Sequence, residues 1–224
     1  MARPRIKICG IGRVEDALAA ARAGADAIGL VFHKPAARYV HMDRAREILA
    51  ALPPFVTPVG LFVDAAPSSV LALAGGLGLR HIQLQGHEDA AYVASMAPMA
   101  VLKAIHVDRQ TFTADLQAWR REIAAHHLVN LRGFVLETAS SEPGGTGIAN
   151  DWAFVRECQM AGMFEGLPPI IAAGGLRPET VAAVVRDVRP WAVDVSTGVE
   201  VSKGIKSAEK IVAFVHAASE AFAQ

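Results

Sequence analysis

Two stretches carry the architecture of this chain: Pro169-Ile170-Ile171-Ala172-Ala173-Gly174-Gly175 and, about twenty residues on, Ala192-Val193-Asp194-Val195-Ser196-Thr197-Gly198. Each is a short apolar run that breaks into a turn of small residues. Apolar runs of this kind, separated by a helix-like segment, read as two parallel strands buried on both faces. Glycines allow a ligand to approach the backbone, and exposed N–H groups in such turns form an anion cradle. In an eight-stranded α/β barrel the loops after strands seven and eight hold phosphate. This pair lies late in the chain, where those strands belong.

Outward from it, strand-like and helix-like segments alternate. Strands are expected at Ile6–Cys9, Ala27–Phe32, Pro58–Val63, His81–Leu84, Ala100–Ile105 and Gly133–Leu136. Helices are expected at Val14–Ala23, Asp43–Leu52, Pro67–Ala74, from about Glu88, at Thr111–His126, Asp151–Gly162 and Ser207–Phe222. Gly24 and Pro53-Pro54 supply stop signals. A loop from Ser140 to Asn150 holds Gly144-Gly145-Thr146-Gly147. Units of about 25–30 residues, with no linker or low-complexity segment, predict a single (β/α)8 barrel domain over residues 1–224. An open doubly wound sheet is disfavoured, because no Gly-x-Gly-x-x-Gly follows the first strand.

Composition agrees with one large core. The chain has 224 residues, 52% hydrophobic and 20% charged, within the range of a single α/β barrel. Lys+Arg and Asp+Glu are both 22, so no basic excess points to nucleic acid or to a membrane surface. No apolar run reaches spanning length and no signal peptide precedes the first strand, so a cytoplasmic protein is expected. Cys9 and Cys158 form neither a disulfide framework nor a metal-ligand spacing.

In a barrel, polar residues at the C-terminal strand ends are the catalytic candidates. They are Cys9, Arg38 near Phe32, Asp64, Gln85, His106, Glu137, Gly174-Gly175 and Asp194 through Gly198. Cys9 could be core packing, but its place just before Gly10 favours chemistry. Its thiol, with an ordinary pKa of roughly 8.5, would have to be lowered by a nearby cation or a helix N-terminus to act as a base. Arg38 is either a solvated charge or a bidentate carboxylate clamp. Glu137 and Asp194 end apolar runs, where a carboxylate is costly unless paired or functional. Cys158 reads as packing, and His81, His87, His126 and His127 as surface or packing residues.

With those residues laid out, the chain resembles the phosphoribosylanthranilate isomerase family of tryptophan biosynthesis. The matching motifs are Lys7-Ile8-Cys9-Gly10-Ile11, Gly24-Ala25-Asp26 with Gly29, Arg38-Tyr39-Val40, Val59-Gly60-Leu61-Phe62-Val63, and Ile82-Gln83-Leu84-Gln85-Gly86. They continue through Leu102-Lys103-Ala104, Gly144-Gly145-Thr146-Gly147 with Asp151-Trp152, Ala173-Gly174-Gly175-Leu176, and Asp194-Val195-Ser196-Thr197-Gly198-Val199-Glu200. The resemblance implies a cofactor-free, metal-free Amadori rearrangement of a phosphosugar, by a monomer or a homodimer. It implies Cys9 as general base at C2 of the ribose and an acid at the end of strand six that opens the furanose ring. It also implies Arg38 on the anthranilate carboxylate, Asp194 on the sugar, and phosphate on Gly174, Gly175, Ser196, Thr197 and Gly198.

Two positions depart from the family pattern. Its strand-six aspartate is Glu137 here, which advances the carboxyl by roughly 1.5 Å on an unmoved backbone. Its histidine after strand four is Gln85, expected to bind substrate without titrating. A related aminoribose-phosphate isomerase, or a phosphosugar-binding barrel without catalysis, are the alternatives. Such aminoribose-phosphate barrels use two aspartates, so Cys9 favours the first reading, and retention of the whole constellation disfavours lost catalysis.

Overall fold

The computed structural model describes residues 3–138 and 149–221. Eight parallel strands close into a barrel in chain order: β1 (Arg5–Ile8), β2 (Ala27–Val31), β3 (Thr57–Phe62), β4 (His81–Leu84), β5 (Ala100–Val107), β6 (Leu131–Thr138), β7 (Ile170–Ala172) and β8 (Ala192–Val195). β8 pairs back onto β1 with Lys7 beside Asp194. The helices between and after them are α1 (Val14–Ala23), α2 (Met42–Ala51), α3 (Pro67–Gly76), α4 (Ala90–Ser95), α5 (Phe112–His126), α6 (Trp152–Met160), α7 (Pro178–Val188) and α8 (Ala208–Ala221). The expected (β/α)8 barrel is therefore the observed one. The expected Gly144–Gly147 turn lies outside the described residues.

Local sequence sets the ends of these elements. Gly24 takes φ 94° and closes α1, its N–H donating to Ala20 and Ala21, a conformation that costs a glycine little. Asp89 and Asp151 cap α4 and α6 by accepting from the N–H of Tyr92 and Phe154. Pro178 opens α7 where a missing N–H is harmless. The helix expected from about Glu88 starts two residues later, because Glu88 is engaged instead with Lys103 and the Asp64 N–H.

Alternation along the strands separates two interiors. Ile6, Ile8, Ile28, Leu30, Ile82 and Leu84 are fully buried and join the core between barrel and helices. Burial of each such side chain stabilises the fold by about 1.5–3 kcal/mol. The intervening residues face the barrel axis. On the β5–β8 side they are apolar, with Val135, Ile171, Ala173 and Ala192 packed with Leu102. Elsewhere in the same interior, Lys7, Gln83 and Asp194 are buried and polar. A barrel interior is normally filled by branched apolar side chains, so this polar half marks the site.

One element was not foreseen. After β8 a 3₁₀ turn (Thr197–Val199) leads into a short antiparallel hairpin, β9 (Glu200–Ser202) and β10 (Ile205–Lys206). It returns Lys206 to the mouth of the barrel. Among the described residues no helix is long and apolar enough to cross a membrane.

Candidate active site

Cys9 leaves β1 with its N–H donating to Val195 on β8 at 2.8 Å. Its side chain is buried against Gly29, where a Cβ would come within 2.7 Å of the Cys9 Sγ. Gly29 is thus the vacancy that admits the thiol. Below it, Lys7 Nζ lies 2.6 Å from Asp194 Oδ2. Burial works against the Lys7 ammonium, but Asp194 and Cys9 more than offset it, and its pKa ends above the usual lysine range. Burial pushes the Cys9 thiol up, Lys7 and Lys206 pull it down, and Asp194 pushes it up; the net direction is upward. The cation required by the sequence reading is present, yet burial outweighs it.

Across the pocket, Glu137 ends the inward-facing series of β6. Its side chain is half-buried in the cleft wall. Its carboxyl is nevertheless pushed up to about 7, by burial first and the Asp194 charge next, against Lys7 and a hydrogen bond from Gln85. A carboxyl held near neutrality can donate a proton at physiological pH. Gln85 is itself held by Gln83, whose Nε2 donates to the Gln85 Oε1 at 2.7 Å.

Arg38 reaches the pocket from the loop after β2. Its Nε and Nη2 donate to the two carboxylate oxygens of Glu200 at 2.7 and 2.9 Å. Glu200 also accepts from the buried Lys206 Nζ at 2.9 Å, and Lys206 continues to the Ser196 carbonyl at 3.0 Å. The hairpin after β8 therefore fixes the guanidinium from behind. It leaves Nη1 and the outer edge of Nη2 directed away from Glu200. Gly10 is required here, since a Cβ would sit 2.5 Å from the Arg38 side chain.

The glycine turns close the pocket on the β7–β8 side. Gly174 and Gly175 take φ 79° and 66°, the left-handed region that glycine occupies without strain. Asn150 clamps the preceding strand ends, its Nδ2 donating to Leu136 and Ala173 at 2.9 Å each. A cleft results, lined by Cys9, Arg38, Gln85, Glu137 and Asp194 beside Gly174, Gly175, Ser196 and Thr197. Val31, Ala36, Leu61 and Val63 give it an apolar wall. Gly198 faces an adjoining depression shared with Gly175, Leu176 and Thr197.

Asp64 and His106, candidates by strand position, do not line this cleft. Asp64 accepts from the His87 N–H at 2.6 Å, and His106 faces a separate cavity between α4 and α5. The sequence reading missed Lys7, Gln83, Glu200, Lys206 and His33. A signal existed for two of them: Lys7 shares the parity of Cys9, and Gln83 that of Gln85. Glu200 and Lys206 carried none, because Glu200 meets Arg38, and Lys206 meets Glu200, only through the fold. Among the described residues no group of three or more His, Cys, Asp or Glu could hold a metal ion.

A parallel barrel that sets a buried thiol and a near-neutral carboxyl in one cleft, with glycine turns at the ends of β7 and β8, is a sugar-phosphate isomerase in its design. The family profile of N-(5'phosphoribosyl)anthranilate (PRA) isomerase matches residues 6–217. The chain belongs to that family and is an enzyme. It is 46% identical over 217 residues to N-(5'-phosphoribosyl)anthranilate isomerase of Pseudomonas fluorescens Pf-5, covering 95% of this chain and 94% of that one. The crystal structure of phosphoribosyl anthranilate isomerase from Thermotoga maritima superposes with a TM-score of 0.84 at 34% identity, covering 97% and 99% of the two chains. A second structure of such an isomerase, in complex with reduced 1-(o-carboxyphenylamino)-1-deoxyribulose 5-phosphate, has a TM-score of 0.81 at 32% identity and covers 97% of this chain and 99% of its own.

Proposed function

We propose that the chain converts N-(5'-phosphoribosyl)anthranilate into 1-(o-carboxyphenylamino)-1-deoxyribulose 5-phosphate, with Glu137 as general acid and Cys9 as general base. The reading is carried by one observation: Cys9, Glu137, Asp194, Arg38 and the β7–β8 glycine turns line a single cleft. The Glu137 proton passes to the furanose oxygen, the C1–O bond breaks, and the nitrogen lone pair forms the C1=N bond. The Cys9 thiolate then takes the C2 proton, and that electron pair forms C1=C2 as the iminium is neutralised. Transfer of the enol hydroxyl proton to C1 gives the ketose. An acid at the ring oxygen and a base at C2, on either side of C1, are what this rearrangement needs.

The binding roles follow from unsatisfied groups. Asp194 Oδ1 is buried and has no partner, while Oδ2 is held by Lys7, so Oδ1 is placed to accept from a sugar hydroxyl. Gly174, Gly175, Ser196, Thr197 and Gly198 would hold the phosphate through backbone N–H groups. Arg38 would meet the anthranilate carboxylate with the edge that Glu200 leaves open, and the apolar wall would take the aromatic ring. Gln85 lines the same cleft beside Glu137 and would contact the substrate through its amide.

We read the whole chain as one barrel domain acting in the cytoplasm. It would act as a monomer or a homodimer, which a particle mass from light scattering decides. The catalytic test is turnover followed by loss of anthranilate fluorescence for wild type, Cys9→Ala and Glu137→Gln. Collapse in both variants is the expected result, and activity surviving in Glu137→Gln moves the acid elsewhere.

A further inference from the structure

We propose that Gln83 is a positioning residue for Glu137 that acts through Gln85, its amide N–H holding the Gln85 carbonyl so that the Gln85 NH₂ faces the acid. The inference rests on the reading of Glu137 as the acid and goes beyond it.

Gln83 lies in β4, two residues before Gln85, so both side chains project into the barrel. It is 1% exposed and outside the cleft lining, which removes it from contact with substrate. Its Nε2 donates to Gln85 Oε1 at 2.7 Å. A carboxamide has one accepting and one donating end, so engagement of the Gln85 carbonyl leaves its NH₂ to face the Glu137 carboxyl, which lines the same cleft.

That choice of end has a chemical consequence. If the Gln85 carbonyl faced Glu137, the protonated carboxyl would spend its proton on Gln85. With the NH₂ facing it, a carboxyl oxygen accepts and the acidic proton stays available for the ring oxygen of the sugar.

A purely structural role does not account for Gln83. Its Oε1 is buried without a partner, and an unsatisfied buried acceptor costs stability. An apolar side chain of the same length would remove that orphan and leave the Gln85 carbonyl, which lines the cleft, to be met by solvent.

The test uses the full chain with Gln83→Met, Gln85→Met and the double variant, each read by kcat, KM, the pH profile of kcat/KM and the thermal midpoint. Gln83→Met should lower kcat by about tenfold and leave KM within about twofold, since it mispositions the acid without touching substrate. Its thermal midpoint should be unchanged or higher. The limb of the pH profile set by Glu137 should move to higher pH, because a donor to the ionised form is lost. The double variant should be no worse than Gln85→Met, as for two residues acting in series.

Additive losses in the double variant, or full activity in Gln83→Met, overturn the inference. So does a fall in kcat accompanied by an equal rise in KM and a lower midpoint. Should Gln83→Met not fold, Gln83→Leu carries the same expectations. Glu137→Gln separates the two levels: if it stays active the acid assignment fails, whereas if it is dead while Gln83→Met is fully active only the positioning role fails.

Discussion

Lys7 Nζ and Asp194 Oδ2 lie 2.6 Å apart inside the barrel, with side chains only 6% and 4% exposed. The pair joins the two strands that close the barrel, β1 and β8, at their shared register position. Removing one partner of a buried pair strands the other charge and costs about 3–5 kcal/mol. Lys7→Met should therefore lower the thermal midpoint by several degrees and raise the pKa of the Cys9 thiol, which loses its main opposing charge. Differential scanning calorimetry and thiol titration with a chromogenic disulfide check the two effects. An unchanged thiol titration would remove Lys7 from the catalytic account.

The Arg38–Glu200 clamp predicts a split between binding and chemistry. Glu200→Gln keeps the shape but removes the charge that orients the guanidinium, and leaves the buried Lys206 without its carboxylate. KM should rise by about tenfold, roughly one charge-assisted hydrogen bond, with kcat changing far less. A substrate analogue lacking the ring carboxylate should bind wild type and Glu200→Gln almost equally. If kcat falls instead, Glu200 acts on the reacting atoms and the clamp is not its role.

Glu137 sets the pH dependence. Catalysis needs its carboxyl protonated and the Cys9 thiol ionised, yet the carboxyl pKa is about 7 and burial raises the thiol above its ordinary value. The productive form is then the minor one between the two pKa values. On these terms kcat/KM rises with pH to about 7, runs level, and falls only above the thiol pKa. Stability runs the other way. Folding raises this carboxyl from 4.5 to about 7, so the native chain binds more protons than the unfolded one in that window. Its contribution is complete below 4.5 and is lost as pH rises through about 7. Thermal scans of wild type and Glu137→Gln from pH 5 to 8 should show the variant gaining on wild type as pH increases.

Gly174 and Gly198 are intolerant for two different reasons. At Gly174, φ is 79° and a Cβ would lie 2.8 Å from Asn150 Nδ2; the left-handed conformation alone costs a substituted residue about 1–2 kcal/mol. At Gly198 a Cβ would overlap the Leu176 carbonyl, and backbone cannot swing aside as a side chain can. Gly198→Ala should raise KM and weaken inhibition by inorganic phosphate by about tenfold or more, since displacements near 1 Å carry such losses. Equal phosphate inhibition in wild type and variant would place the phosphate elsewhere.

Much of the fold was legible because it depends on local pattern. Apolar runs closed by Gly or Ser, alternating with helices stopped by Gly24 or Pro53, required no knowledge of contacts. Glu137 and Asp194 stood out as carboxylates at the ends of apolar runs. Lys7 and Gln83 share the strand parity of Cys9 and Gln85, a signal that works only once the inward face of each strand is known, since a polar residue facing inward looks the same in sequence as one facing solvent. The β9–β10 hairpin was missed because strands of three and two residues carry almost no periodicity.

The sequence by itself determined the order and kind of the elements, the glycine turns that admit the backbone to an anion, and the residue types available for acid–base work. These follow from the conformational limits of each residue and the period of burial, both local properties. Only the tertiary structure decided which charges meet. Lys7 and Asp194 are 187 residues apart and Arg38 and Glu200 are 162 apart, and barrel closure brings each pair into contact where little water competes. That desolvation raises the Glu137 carboxyl and the Cys9 thiol, a property of the enclosed site that neither residue has alone.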